Sequence, residues 1–249
     1  MVLLAAAFLA GFIDSVVGGG GLIQVPALFS LFPTVAPATL LGSNKLAGIF
    51  GTAMAAWQYS RRIQIPWNAV WPATLMALVF AFFGAWTVTR IPPDFLRAAL
   101  PFILFAVALY TFFKKDLGAT HRPLHAGQRE RALGAGAGAS IGFYDGFFGP
   151  GTGSFLVFIF VRFFGFDFLR ASAAAKVVNV ACNFAALVWF AWAGHVAWWV
   201  GLAMAVANMT GSVAGSRLAL KRGSQFVRII FLIVVTMLIL KTSYDSLLG

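Results

Sequence analysis

Residues 11–110 and 142–241 are two copies of one sequence, aligned without a gap. The register pairs Asp14 with Asp145, Gly18 with Gly149, Gly20 with Gly151 and Lys45 with Lys176. It also pairs Trp67 with Trp198, Gly84 with Gly215 and Arg97 with Arg228. An acid, a glycine cluster and a lysine recurring inside otherwise apolar segments point to duplication rather than to shared composition.

The solvent of such a chain follows from its composition. Of 249 residues, 61% are hydrophobic and 10% charged, and the mean hydropathy is +0.89, which leaves too little polar surface for a water-soluble domain. The apolar stretches approach the roughly 20 residues that a helix needs to cross the hydrocarbon, and no alternating pattern suggests a barrel. The expected fold class is therefore an all-α integral membrane protein with 8–10 membrane segments. The net charge of +11 belongs to short loops, so a nucleic-acid partner is not expected. Cys182 is the only cysteine, which excludes an intrachain disulfide and a thiolate metal cluster; it reads as a small buried apolar residue. Met1–Ala10 lacks a basic start and runs into the repeat, so it reads as structure rather than as a removable signal.

Each half reads as one long glycine-interrupted segment followed by three helices. The first half gives 1–32, 38–60, 68–89 and 96–113, the second 132–164, 171–193, 196–219 and 226–246. The expected division is a first repeat over 1–113, a polar linker over 114–131 and a second repeat over 132–249. Loop charge sets the topology. If every segment crossed once, the Lys and Arg residues would split almost evenly between the two sides. If 1–32 and 132–164 are hairpins that return to their own side, thirteen fall together: Arg61, Arg62, Lys114, Lys115, Arg122, Arg129, Arg131, Arg162, Arg170, Arg217, Lys221, Arg222 and Arg228. Arg90, Arg97 and Lys241 lie opposite, and the rich side reads as cytoplasmic, linker included. A hairpin plus three crossings is an odd number of passes, so the repeats come out inverted. The tryptophans near segment ends, Trp67, Trp71, Trp192, Trp198 and Trp199, read as interfacial belts.

The chemistry sits at the hairpin tips, DSVVGGGG (Asp14 to Gly21) and DGFFGPGTG (Asp145 to Gly153). Glycine allows sharp turns and close approach, and Pro150 excludes a continuous helix. The arm after each turn points free N–H groups and a partial positive charge at the tip, which suits an anion. Lys45 and Lys176 lie deep in the following helices, at a cost of about 2.5–3.5 kcal/mol each on insertion scales. Asp14 and Asp145 read either as ion-pair partners of these lysines or as proton-coupling carboxylates. Gln24, Ser43, Asn44, Thr52, Thr152, Ser154, Asn179, Asn183 and Asn208 are supporting polar groups, with Asn44 and Asn179 ranked highest for their closeness to the lysines. His121, His125 and His195 read as solvated, without ligand spacing to an acid or a cysteine.

These tips, each followed some thirty residues later by a helix with a buried lysine (GSNKLAG, AAKVVNVACNF), resemble the TauE/SafE family, the sulfite/organosulfonate exporters. The resemblance covers nearly the whole chain. It implies a secondary transporter of a small sulfur-containing anion such as sulfite, thiosulfate or sulfoacetate, with site positions at Gly149, Gly151, Gly153, Lys176 and Asn179 and their mates Gly18, Gly20 and Lys45. Gly48 stands where the second half has Asn179, so the half-sites are not equivalent. The expectation is alternating access in a bacterial inner-membrane type of protein. The substrate site is expected at Lys45, Lys176, Asn44, Asn179, Gly20, Gly151, Thr152, Gly153 and Ser154. The expected partners are the lipid bilayer and a small anion, with a homo-oligomer left open and no cofactor or metal; GxxxxGK[ST] is absent. A passive anion channel, or an ion or proton pathway centred on Asp14 and Asp145, is the alternative. An enzyme is not expected, because no histidine in the apolar segments stands near a serine or threonine nucleophile.

Overall fold

A computed structural model describes the backbone of residues 1–96 and 122–248, with side chains for all of these except 228 and 231–248. The expected helix over 96–113 and the start of the linker, with Arg97 and His121, fall almost wholly outside the described residues, as do the side chains of Arg228 and Lys241. Every long element among the described residues is an α-helix: α1 (Val2–Val17), α2 (Gly21–Leu31), α3 (Pro37–Ser60), α4 (Trp67–Val88), α5 (Gly127–Phe147), α6 (Thr152–Arg162), α7 (Phe168–Trp192) and α8 (Trp198–Leu248).

The boundaries have local causes. Pro37 opens α3 at its first turn, where a missing N–H costs nothing. The Asp167 carboxylate caps α7, accepting from the amides of Leu169 at 3.0 Å and Arg170 at 2.9 Å. Gly223, with φ 78° and ψ −172°, breaks α8 between the two segments expected from sequence. One boundary differs: Gly127–Arg131, expected in the linker, forms the first turn of α5. Gln128–Arg131 are good helix formers, and Glu130 in that turn complements the helix dipole.

Two helices, α4 and α7, are long and apolar enough to cross a bilayer unaided, with mean hydropathies of 1.7 and 1.5. The expected belt tryptophans face outward, from 51% exposed at Trp198 to 88% at Trp199. Both long glycine segments are broken where expected, between α1 and α2 and between α5 and α6.

Helices meet through small residues. Gly134, Gly138, Gly142 and Gly146 recur every fourth residue along α5 and lie against Ala69, Ala73, Ala77 and Ala81 of α4. Their backbones are so close that a methyl group at Gly138 would sit 2.0 Å from the Ala73 carbonyl oxygen. Without a hydrophobic force between helices in lipid, this approach maximises dispersion. In the same way α1 lies on α8, where methyl groups at Gly11 and Gly211 would each sit 2.0 Å from the carbonyl oxygens of Asn208 and Phe8. The two seams correspond: moving both partners of Gly11–Asn208 and Gly215–Phe12 by the repeat register gives Gly142–Ala77 and Gly84–Phe143.

Contacts at the helix ends give directions. Near the start of α3, Ser43 Oγ accepts from the Ala197 amide at 2.9 Å and Thr39 meets His195 at 3.4 Å, both in the turn after α7. At the other end, Arg62 beyond α3 and Arg170 in the first turn of α7 line one cleft. The repeat mates α3 and α7 therefore run antiparallel. Leu3, Phe32, Leu40 and Val200 share one cluster, placing the start of α1, the end of α2 and the starts of α3 and α8 at the same end of the molecule. Arg61, Arg62, Arg217 and Lys221 line a cleft at the opposite end.

Candidate functional site

The two hairpin tips touch. Gly18 adopts φ 80° and ψ 168°, open to glycine alone, and a methyl group there would sit 2.2 Å from the Gly153 carbonyl carbon. A helix that ends inside the fold leaves four carbonyls to satisfy, and α1 settles each differently. The Asp14 carbonyl accepts from Gly18 N at 2.8 Å. The next three accept side-chain hydroxyls from three other helices: Tyr59 Oη to Ser15 at 3.0 Å, Ser172 Oγ to Val16 at 3.2 Å and Ser154 Oγ to Val17 at 3.4 Å. The second tip is held by its own residues, with Tyr144 Oη on the Pro150 carbonyl and Thr152 Oγ1 on Gly149 O at 2.8 Å.

Buried charges bind the halves to one another. Lys45 Nζ donates to Asp145 Oδ2 at 2.5 Å, and Lys176 Nζ donates to Asp14 Oδ2 at 3.3 Å. Each acid thus pairs with the lysine of the other half, and the repeat register exchanges the two bridges. Of the two expectations for these acids, ion pairing is what the geometry contains. The pairs differ in exposure: the side chains of Lys45 and Asp145 are 2% and 3% exposed, while Asp14 is 16% exposed beside a Lys176 at 0%. Asp14 is also held by long contacts, 3.4 Å from both Thr52 Oγ1 and Gly20 N.

Between the tips lies a cavity of about 40 Å³, counted as space open to water centres. One water needs roughly 10–15 Å³ on that measure, so the cavity has room for on the order of three. Of the expected site residues, Gly20, Asn44, Lys45, Asp145, Gly151, Thr152, Gly153, Asn179 and Asp14 line it. Lys176 and Ser154 do not: the first is sealed behind Asp14 and the second is turned onto the α1 carbonyls. Of the supporting residues Gln24, Thr52, Asn183 and Asn208 are on the wall. Ser43 is not, bridging α3 to the α7–α8 turn instead.

The wall is rich in donors. Gln24 Oε1 accepts from Asn208 Nδ2 at 2.9 Å, and Gln24 Nε2 is buried without an acceptor among the described residues. Gly21, Gly151 and Gly153 carry amides with no backbone acceptor among the described residues. A buried orphan donor costs about 1–3 kcal/mol unless an acceptor arrives. Tyr59 and Ser172, which fix the tip, escape sequence reasoning because a single hydroxyl in an apolar helix carries no pattern. His125 and His195 do not line the cavity: His195 is a turn residue that donates its amide to Phe190 O, and no cluster of metal-ligating groups exists among the described residues.

The sequence profile of the family described as Sulfite exporter TauE/SafE matches residues 3–242. The chain is 40% identical to the probable membrane transporter protein ORF9 of Sinorhizobium sp, covering 98% of this chain and 92% of that one. It is 37% identical to the probable membrane transporter protein YfcA of Escherichia coli strain K12, covering 98% and 90%. A probable membrane transporter protein of Haemophilus influenzae is 34% identical over 98% and 94%. No solved structure matches the chain.

Proposed function

The chain belongs to the TauE/SafE family of membrane transporters, and we propose that it carries a small sulfur-containing anion, such as sulfite, thiosulfate or an organosulfonate like sulfoacetate, by alternating access. The observation that carries this reading is the cavity at the meeting of the two tips, lined by Lys45, by the side-chain amides of Gln24, Asn44, Asn179, Asn183 and Asn208, and by the glycine turns. Sulfite and a sulfonate head each present three oxygens, which matches a space for about three waters. Amides at the starts of α2 and α6 add partial positive charge with no mobile counter-ion.

In this reading the halves 1–113 and 132–249 are inverted repeats. The antiparallel course of α3 and α7, the exchanged ion pairs and the corresponding seams support it. The end carrying Arg61, Arg62, Arg217 and Lys221 is cytoplasmic, together with the linker over 114–131. In this reading the site lies near the midplane, where Asn44, Lys45, Asn179, Asn183 and Asn208 are all buried. Movement of one bundle against the other opens the site to either side. The test is thermal stabilisation of the purified protein by sulfite, thiosulfate, methanesulfonate, sulfoacetate, sulfate and phosphate, since a ligand of the folded state raises apparent stability. Stabilisation by a sulfur oxyanion, lost in Lys45→Ala, is the expected result. A flat response to every anion would overturn the proposal.

A further inference from the structure

We propose that each anion enters together with one proton, and that Asp14 carries it. This rests on the anion reading above and names its coupling ion. The four charges of the two bridges, Asp14, Asp145, Lys45 and Lys176, sum to zero, so the site as folded has no excess positive charge for a guest. A monoanion added to a neutral cluster leaves a net charge of −1 in a low-dielectric cavity, which is costly. One proton removes that cost: Asp14 becomes neutral, Lys176 loses its only ion-pair partner among the described residues, and the anion replaces the lost carboxylate charge.

The two acids are not interchangeable in this role. Both line the cavity, but Asp145 is 3% exposed and held by Lys45 at 2.5 Å, whereas Asp14 is 16% exposed and meets Lys176 at 3.3 Å. Protonating Asp14 therefore breaks the longer bridge and leaves the shorter intact. The charged and titratable groups facing Asp14 are Lys176 from α7, Lys45 and Tyr59 from α3 and Asp145 from α5. From α2, α6 and α8 come only the neutral Gln24, Thr152 and Asn208. With the cavity empty, Lys176 holds the Asp14 carboxylate as its ion-pair partner at 3.3 Å. An anion in the cavity adds to the repulsion from Asp145 and draws a proton from water onto the Asp14 carboxylate; when the anion leaves, Lys176 reclaims the carboxylate and the proton returns to water. Binding of the two is reciprocal, as linkage requires.

The experiment uses the full chain in proteoliposomes with methanesulfonate, a monoanion that does not itself titrate near neutral pH. The wild type is expected to accumulate it about tenfold per pH unit, acid outside, with one proton taken up per anion and no response to an imposed membrane potential. Asp14→Asn, fixed in the neutral form, is expected to lose the pH drive, and the methanesulfonate exchange that remains is expected to respond to an imposed potential. Asp145→Asn leaves Asp14 able to titrate, so the uptake that remains is expected to stay driven by pH. Wild-type uptake without proton movement, or Asp14→Asn still driven by pH, would overturn the proposal while leaving the anion reading intact. No uptake and no stabilisation by any anion would instead remove the reading on which it rests. Should Asp14→Asn fail to fold, Asp14→Glu, which keeps a titratable carboxylate, is expected to retain proton-driven uptake with a shifted pH profile, and an unchanged profile would overturn the role of Asp14.

Discussion

Gly138→Ala and Gly136→Ala make the same chemical change two residues apart on α5, yet the seam with α4 demands opposite outcomes. At Gly138 the new methyl group would sit 2.0 Å from the Ala73 carbonyl oxygen and 2.7 Å from its carbonyl and α carbons. An ordinary C···O approach is about 3.3–3.6 Å, so the two helices must part by more than an ångström. A gap of that size forfeits roughly a quarter to a half of the dispersion along the seam, and overpacking of this kind costs about 1–3 kcal/mol. At Gly136 the methyl group meets nothing within 4 Å. Both variants share the gain of up to about 1 kcal/mol from alanine's helix propensity, so their difference isolates the steric cost. For a chain of this size roughly 2–4 °C accompanies each kcal/mol, which gives a separation of about 2–12 °C with Gly138→Ala the lower. Thermal unfolding in detergent, followed by size-exclusion recovery of the monodisperse protein, measures it. Equal midpoints, or a more stable Gly138→Ala, would refute the claim that α4 and α5 touch backbone to backbone.

Lys45→Ala should cost about 3–5 kcal/mol by stranding Asp145, and Lys45→Ala/Asp145→Ala should recover part of that loss; a thermal double-mutant cycle that came out additive would deny the pairing. Gln24→Glu keeps the acceptor for Asn208 but replaces the orphan donor with an oxygen, so anion affinity should fall at least about tenfold, the worth of one charge-assisted hydrogen bond, as read by isothermal titration with thiosulfate; unchanged affinity would clear Gln24 from the site. Cysteines at Gln64 and Ala193, after the corresponding helices of the two halves, should react with an impermeant thiol reagent from opposite sides, and labelling from one side would contradict the inverted topology.

Much of the site was legible because charge in an apolar segment has few innocent explanations. Asp14, Lys45, Asp145 and Lys176 stand out on that ground, and the glycine tips stand out because Pro150 and positive-φ backbone cannot continue a helix. What spacing along one chain cannot say is which acid meets which lysine: a pairing of Asp14 with Lys45 within one half fits the sequence equally well. For the same reason the sequence puts both lysines at the substrate site, where the fold places Lys176 behind Asp14 and off the cavity wall. The hydroxyls of Tyr59, Ser172 and Ser154 were hidden by the three-dimensional origin of their task, since they come from three helices to one helix end. The α5 glycine stripe is visible as a four-residue period, but its partner stripe on α4 is alanine, the least distinctive residue in an apolar helix.

The exchanged ion pairs also bear on how the molecule is made. When the first half has emerged from the ribosome, Asp14 and Lys45 are in the membrane and neither has its partner, since both partners lie beyond the linker. At about 2.5–3.5 kcal/mol for each stranded charge, an isolated first half is a strained intermediate, and the arrival of the second half completes both bridges at once. Two separate copies of a single half could satisfy the same bridges by embracing each other, so this chain folds as a dimer does, with the linker standing in for the encounter.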